Sequence, residues 1–392
     1  MALRANTCPL PASILGALHH PLSPSCSDVS FVVDAAANNT LFVDVLDSQN
    51  GTAVMDWVLH AMLSGAAPTN GTALVKGTFA INGVYCKPST TTRAVEDDDK
   101  GVLQILLHGA TYNRTYWTGL QDRPGVVADT YSWPLVAAHA GYHTLALDKL
   151  GAGSNPQRPD PINVVQVPLE VEILHQVIST IRRPITTAST SPLGRAFDKL
   201  ALVGHSFGSS LGTALARRYP SDLDALVATG LSTSVDYASF LDTDFQPAAA
   251  VFGSARANAR GLHPGYITTG SLSGRERTFF AGAYDAKHLP ARDFAGADAA
   301  TGGELLTMAA APAVGFARPV LAVVGALDRV QCPPAAGACE DILAATGRAL
   351  WPDAGPFDYH VVPDTGHCLA LHFTAPETAA VVHTWLDRVF GV

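Results

Sequence analysis

The sequence predicts an α/β fold, a mainly parallel sheet with helices on both faces, and three observations predict it. From residue 101 onward, strand-like and helix-like segments alternate along the chain, the grammar of parallel sheets covered on both sides. The strand segments run apolar without a break, as in Val102-Leu103-Gln104-Ile105-Leu106-Leu107, which fits burial of both faces. The third observation is Leu200-Ala201-Leu202-Val203-Gly204-His205-Ser206-Phe207-Gly208, an apolar run that stops on Gly-x-Ser-x-Gly. A strand ending at Gly204 and a helix starting near Gly208 leave Ser206 at the apex of a sharp turn, with its hydroxyl exposed at the sheet edge.

The elements follow in order. Residues 1 to about 75 are irregular in pattern, with a strand at Cys26–Val33 and a short helix at Val54–Leu63. Gly77–Cys86 alternates like a half-exposed antiparallel strand, and Ser89–Lys100 is a polar loop ending in an acidic cluster. After the Val102–Leu107 strand come a helix at Tyr131–Ala140, a strand at His143–Asp148 and an amphipathic helix at Leu169–Ile181, stopped before Pro184. The strand into Ser206 is followed by the small-residue helix Ser209–Pro220 and a strand at Ala225–Thr229. Pro319–Gly325 and Phe357–Val362 are two more strands, and Pro376–Phe390 closes the chain as a helix. Residues 233–315 break the alternation, being Ala-rich, aromatic-bearing and punctuated by Gly and Pro. They are expected to form a mostly helical cap over the strand ends. The expected organisation is an N-terminal extension at 1–75, a core at 76–232 and 316–392, and the cap inserted at 233–315.

With 392 residues, 47% hydrophobic and 15% charged, the chain can bury a large core. A formal net charge of −9 with no basic run argues against nucleic acid as a partner, and no apolar stretch reaches the roughly 18 residues of a membrane span. Six cysteines have no metal-ligand spacing. Asn-x-Thr sequons occur at Asn38, Asn50, Asn70 and Asn113, where chance supplies about one or two. Together these point to a secreted, glycosylated protein. The opening residues make no signal peptide, so the leader is expected to have been replaced by an initiating Met.

A serine becomes a nucleophile at neutral pH only beside a base, and the base needs an orienting carboxylate. His367, in a Gly-His loop between the last strand and the last helix, is the base candidate. Asp328 lies just past a strand's carboxyl end, where parallel sheets gather functional groups; Asp364, three residues from His367, is the local rival. Acyl chemistry also needs amide donors aimed at a developing oxyanion. The amide of Phe207 is one, and Ala110, in Leu107-His108-Gly109-Ala110-Thr111-Tyr112, is the other, with Thr111 as the fallback. Tyr112, Trp117 and His205 are candidate pocket-lining residues; structural packing accounts for the aromatics equally well.

This order of a His-Gly loop, a Gly-His-Ser-Phe-Gly elbow, a late Asp and a Gly-His near the end resembles the α/β-hydrolase superfamily. Asp148-Lys149-Leu150-Gly151-Ala152-Gly153-Ser154 resembles its Asp-Arg-x-Gly-x-Gly-x-Ser loop, with Lys149 where Arg is usual. Gly77–Cys86 resembles secreted fungal members. The resemblance covers residues from about 100 to 392. It implies an eight-stranded core, a triad of Ser206, Asp328 and His367, and no metal or organic cofactor. Ser206 argues against epoxide hydrolases and dehalogenases, which carry Asp at the elbow. A small or medium hydrophobic ester or lactone is the expected substrate. The alternatives are acyl transfer or lactone formation and opening, and a catalytically silent binding fold. Cys332 and Cys339 flank a loop after Asp328 and are expected to form a disulfide; the other pairings stay open, between Cys86–Cys368 with Cys8–Cys26 as the remainder and Cys368 as a small buried residue.

Overall fold

The computed structural model describes residues 25–44, 50–88, 99–121, 131–185, 191–253, 262–308 and 311–392. Along the chain the first elements are β1 (Ser25–Phe42), α1 (Gly51–Ser64), β2 (Thr69–Lys87), β3 (Val102–Leu107), α2 (Trp133–His139), β4 (His143–Leu147) and α3 (Val167–Arg182). There follow β5 (Lys199–His205), α4 (Phe207–Arg218) and β6 (Ala225–Thr229). Next come α5 (Tyr237–Leu241), β7 (Phe245–Pro247), α6 (Ala248–Phe252), β8 (Tyr266–Thr269), α7 (Leu272–Phe279), α8 (Leu289–Gly296), β9 (Ala300–Thr301) and α9 (Gly302–Thr307). The chain closes with β10 (Val320–Gly325), α10 (Cys339–Leu350), β11 (Phe357–Val362) and α11 (Ala375–Phe390).

Eight strands form one sheet in the order β1-β2-β4-β3-β5-β6-β10-β11. All neighbours from β4 to β11 run parallel, while β1–β2 and β2–β4 are antiparallel. Alternate residues of each parallel strand supply two cores. Leu103, Ile105 and Leu107 of β3 face α3, α4 and α10 on one side. Val102 and Leu106 face α2 and α11 on the other. This double burial is why the central strands carry no polar face. The covering helices bury a single stripe instead; α10 buries Cys339, Ile342, Leu343, Thr346, Gly347 and Leu350 at helical spacing. That helix was not foreseen, because the Pro- and Gly-rich residues before it mask a stripe that is present in the sequence.

Two expectations are corrected and one gains detail. The division at residues 75 and 76 falls inside β2, because β1 and β2 are the first two strands of the main sheet. Phe31, Val33, Ala35 and Ala37 are buried between exposed residues, the period of a strand with one covered face. Second, the insertion between β6 and β10 is mostly helical as expected, and among its described residues its five short helices are joined by the three-stranded sheet β7-β8-β9. Third, Cys86 pairs with Cys26, its direct cross-strand neighbour in the β1–β2 register, so it is not bridged to Cys368, which is a buried free thiol. Cys8 lies outside the described residues. Cys332 and Cys339 are bridged as expected.

The insertion is tied to the core by buried charge. Lys149, at the end of β4, pairs with Glu304 of α9, both almost fully buried, and the ammonium also lies 4.4 Å from the centre of the Phe207 ring. Glu170 of α3 completes the cluster with both carboxyl oxygens buried and unpartnered. Burial, and then the charge of Glu304, push its pKa well above the ordinary carboxylate value, against the pull of Lys149. A carboxyl whose pKa is raised on folding stabilises the fold below its unfolded-chain value. That contribution is lost as pH rises toward the folded value. Glu170→Gln is therefore expected to melt higher than the native protein, by a margin that widens between pH 5 and pH 9. Thermal melts across that range check it; a margin independent of pH contradicts it.

Candidate active site

Two glycines give the turn at Ser206 its shape. A Cβ on Gly204 would lie 2.5 Å from the Ser209 amide, and one on Gly208 would lie 2.3 Å from the Leu107 carbonyl oxygen. The backbone passes that close only without side chains. Ser206 itself sits at φ 52°, ψ −115°, a strained conformation for a residue with a Cβ. Its amide donates to the Thr229 carbonyl (2.8 Å), pinning the turn to β6, and the Ser206 hydroxyl has no hydrogen-bond partner among the described residues.

The segment after β3 lies directly over this turn, with Gly109 so near that a Cβ would approach that of Ser206 to 3.2 Å. His108 orients it. The buried imidazole donates from Nδ1 to the Gly109 carbonyl (2.9 Å) and accepts at Nε2 from the Lys149 amide (3.1 Å). Burial, and then the Lys149 charge, hold it well below the ordinary histidine pKa, so it stays neutral. In a trans peptide the N–H opposes the C=O, so anchoring the Gly109 carbonyl turns the Ala110 amide to the opposite side. The Phe207 amide belongs to the first turn of α4, where N–H groups lack intrahelical acceptors.

His367 donates from Nδ1 to Asp328 Oδ2 (2.7 Å). The other carboxylate oxygen accepts the amides of Val330 and Gln331, each at 2.9 Å. Three donors thus hold a fully buried carboxylate in one orientation. Asp364 is exposed, lies at φ 48° and uses its backbone carbonyl on Ala283; it is a turn residue, and the histidine does not face it. His372, overlooked in the sequence, supports the base loop. It accepts the Gly366 amide (3.1 Å) at Nε2 and donates from Nδ1 to the Cys368 carbonyl (2.8 Å).

Ser206 and His367 open into one cavity of about 10 Å³, together with the Gly109–Tyr112 stretch and His205, room for about one water. The inserted segment roofs it with Phe240, Phe245 and Phe279. His205 stacks on Tyr116 at 4.4 Å. The Thr229 hydroxyl donates to the Gly204 carbonyl and so accepts from His205 Nδ1, leaving Nε2 as an unpartnered buried acceptor. Burial, and then the neighbouring His367, lower its pKa well below the ordinary value. Trp117 does not line the cavity. It is buried edge-on against Tyr116 and Trp133, because the short turn at Arg114–Trp117 points it into the core. A larger groove of about 380 Å³, lined in part by Glu172, Arg217 and Arg218, lies at the opposite end of α4 from Ser206 and contains no nucleophile–base pair.

Asp148 accepts the amides of Arg114 and Ser154 (2.9 Å each) and pairs with the Arg114 guanidinium. A Cβ on Gly153 would lie 2.0 Å from its carboxyl carbon. The loop beginning at Asp148 therefore braces the start of the 114–117 turn. Of the sequons, Asn38, Asn50 and Asn70 are exposed. Asn113 is half-buried; its amide donates to Asp298 (2.9 Å) and its carbonyl accepts from the Thr115 amide and hydroxyl, so the nitrogen that would carry a glycan is already engaged.

The Asp328–His367 geometry predicts that Asp328→Asn lowers kcat by about 10³–10⁴-fold through the wrong tautomer of the base. Asp364→Asn, an exposed change, is expected to stay within about twofold. Steady-state kinetics on one ester decides between them.

Residues 104–381 match the family model described as the alpha/beta hydrolase family. No curated protein matches the chain. Among similar solved structures is a thermophilic esterase from Thermogutta terrifontis, malate bound, with 17% identity over 80% of this chain and 95% of that one and a TM-score of 0.48. The carboxylesterase CesB from Bacillus subtilis has 14% identity over 81% and 89%, with a TM-score of 0.46. An epoxide hydrolase from an endophytic Streptomyces has 19% identity over 79% and 92%, with a TM-score of 0.45.

Proposed function

The chain belongs to the alpha/beta hydrolase family, and from that premise we propose that it is a serine hydrolase cleaving a carboxylic ester or lactone of a small to medium hydrophobic substrate. One observation carries the reading: a buried, triply hydrogen-bonded Asp328 holds His367 at the same cavity into which Ser206 opens. In this mechanism Ser206 Oγ attacks the carbonyl carbon while His367 Nε2 takes its proton. The imidazolium is stabilised by Asp328, and the negative oxygen is received by the amides of Phe207 and Ala110. His367 then returns the proton to the leaving alcohol, and water resolves the acyl-enzyme by the same steps in reverse. Ser206 stands where a carboxylate nucleophile would be needed for epoxide opening. The phenyl groups of Phe240, Phe245 and Phe279 favour an apolar acyl group over a charged one.

The apolar roof of Phe240, Phe245 and Phe279 over Ser206 favours a second reading, in which water is excluded and an alcohol acceptor or an internal hydroxyl resolves the acyl-enzyme. Ester turnover with and without added alcohol separates the two by the ester formed. Ser206→Ala is expected to lose kcat by about 10⁶-fold and all labelling by a fluorophosphonate probe. Labelling that survives the substitution contradicts the nucleophile assignment, and a native protein that neither labels nor turns over esters or lactones supports a silent binding fold.

No helix among the described residues is long and apolar enough to cross a membrane, and two disulfides are present; both are compatible with a secreted protein. Expressed through a glycosylating secretory route, it is expected to carry glycans at Asn38, Asn50 and Asn70 and none at Asn113. Peptide mass spectrometry after enzymatic deglycosylation checks each site.

A further inference from the structure

Thr111 follows the proposed oxyanion amide of Ala110 and lies at φ 61°, an outlier conformation for a β-branched residue. Such a residue stays there only when its surroundings over-determine it. Both holds on Thr111 come from the inserted segment. Its carbonyl accepts the Asp298 amide (2.8 Å), and its hydroxyl accepts Nη1 of Arg275 (3.0 Å).

Arg275 is fully buried and its donors are distributed with purpose. It binds Asp293, also fully buried, through Nε and Nη2, and its Nη1 reaches the hydroxyls of Thr111 and Thr269 (3.0 and 3.1 Å). The guanidinium lies over the Tyr112 ring at 4.3 Å. Tyr112 donates its hydroxyl proton to Asp293 (3.1 Å), so the thiol of Cys368, beside His367, donates to the Tyr112 oxygen (3.0 Å). One buried cation therefore touches the oxyanion loop directly and the base loop through two intermediates.

Resting on the hydrolase reading above, we propose that Arg275 is a positioning residue: it holds Thr111 in its left-handed turn and so presets the Ala110 amide over Ser206. His108 sets the direction of that amide and the Thr111 turn sets its place. The oxyanion site is then complete only while the segment carrying Arg275, Asp293 and Asp298 is seated on the core. Because an oxyanion donor acts in the transition state and not on bound ester, loosening it lowers kcat and leaves KM nearly unchanged.

The test uses Arg275→Lys, which keeps a cation for Asp293 but lacks the planar fork that reaches Thr111 at the same time, and Thr111→Val, which keeps the β-branch and removes the acceptor. Removing an oxyanion donor outright costs about 10²–10³ in kcat, so misplacing one is expected to cost each variant about 10- to 100-fold with KM within about twofold. The double variant is expected to lose no more than the worse single one, since both break the same contact. Multiplicative losses in the double variant, unchanged kcat in Thr111→Val, or a rise in KM that accounts for the loss would overturn the proposal. If Arg275→Lys does not fold, as judged by circular dichroism, Thr111→Val decides alone by the same kcat and KM criteria. A native protein that turns over neither esters nor lactones overturns the hydrolase reading and this proposal with it. Normal native turnover with any of the three contrary results overturns the positioning role alone.

Discussion

The turn from Gly204 to Gly208 closes tightly on itself and on the end of β3: a Cβ on Gly204 would meet the Ser209 amide, and one on Gly208 the Leu107 carbonyl oxygen. Everything proposed for the site depends on this contact. It brings the strand that delivers Ser206 and the strand that delivers His108 to Tyr112 into one plane, with their carboxyl ends side by side in a parallel register from Val102–Lys199 to Leu107–Gly204. The amide of Phe207 and the loop bearing Ala110 then converge without any long side chain spanning the gap. Gly230, at φ 60°, performs the same service on the next strand: a Cβ there would lie 2.9 Å from the His205 ring and 3.2 Å from that of His367.

Around this contact the protein places charges where charges are costly. Lys149–Glu304 and Arg275–Asp293 are buried; the first joins the inserted segment to the loop after β4, and the second lies within the insertion and aims Arg275 at Thr111 in the loop after β3. Removing one partner of such a pair typically costs about 3–5 kcal/mol, because the other charge is stranded. An exposed pair such as Arg388–Asp358 contributes about 0–1 kcal/mol. The buried pairs therefore weigh far more in where the insertion sits than any surface contact does. They do so as constraints on geometry, since apolar replacements of equal volume can be as stable. Glu170 is the exception in this set, a buried carboxyl whose oxygens have no donor and whose pKa burial pushes well above the ordinary carboxylate value.

Much of the α/β core was legible in the sequence, for a physical reason. Strands buried on both faces are apolar at nearly every position, so Val102–Leu107 and Leu200–His205 announce themselves, and helices that cover them carry one stripe, as Val167–Arg182 does. Ser206, Asp328 and His367 were legible because each follows a strand that can be recognised. The N-terminal hairpin was half-read: Cys26–Val33 and Gly77–Cys86 were recognised as strands, but their membership of the main sheet was not, since pairing is a property of two distant segments. The choice of Cys26 as the partner of Cys86 follows from that register alone.

The inserted segment shows the limit most clearly. Its helices and strands are two to eight residues long, too short for a periodic pattern, and its decisive residues are polar ones whose partners lie far along the chain. Nothing near Arg275 indicates that its fork meets Thr111, 164 residues away, or that Phe240, Phe245 and Phe279 share a cavity with Ser206. By itself the sequence determined the sheet, the elbow and the order of the reacting groups, because these are written in local apolar patterns and in glycines that local crowding demands. Only the tertiary structure decided which carboxylate His367 faces, which cysteines pair and how the roof closes over Ser206. Those outcomes depend on distances between segments remote in the chain, and on which buried polar groups find partners there.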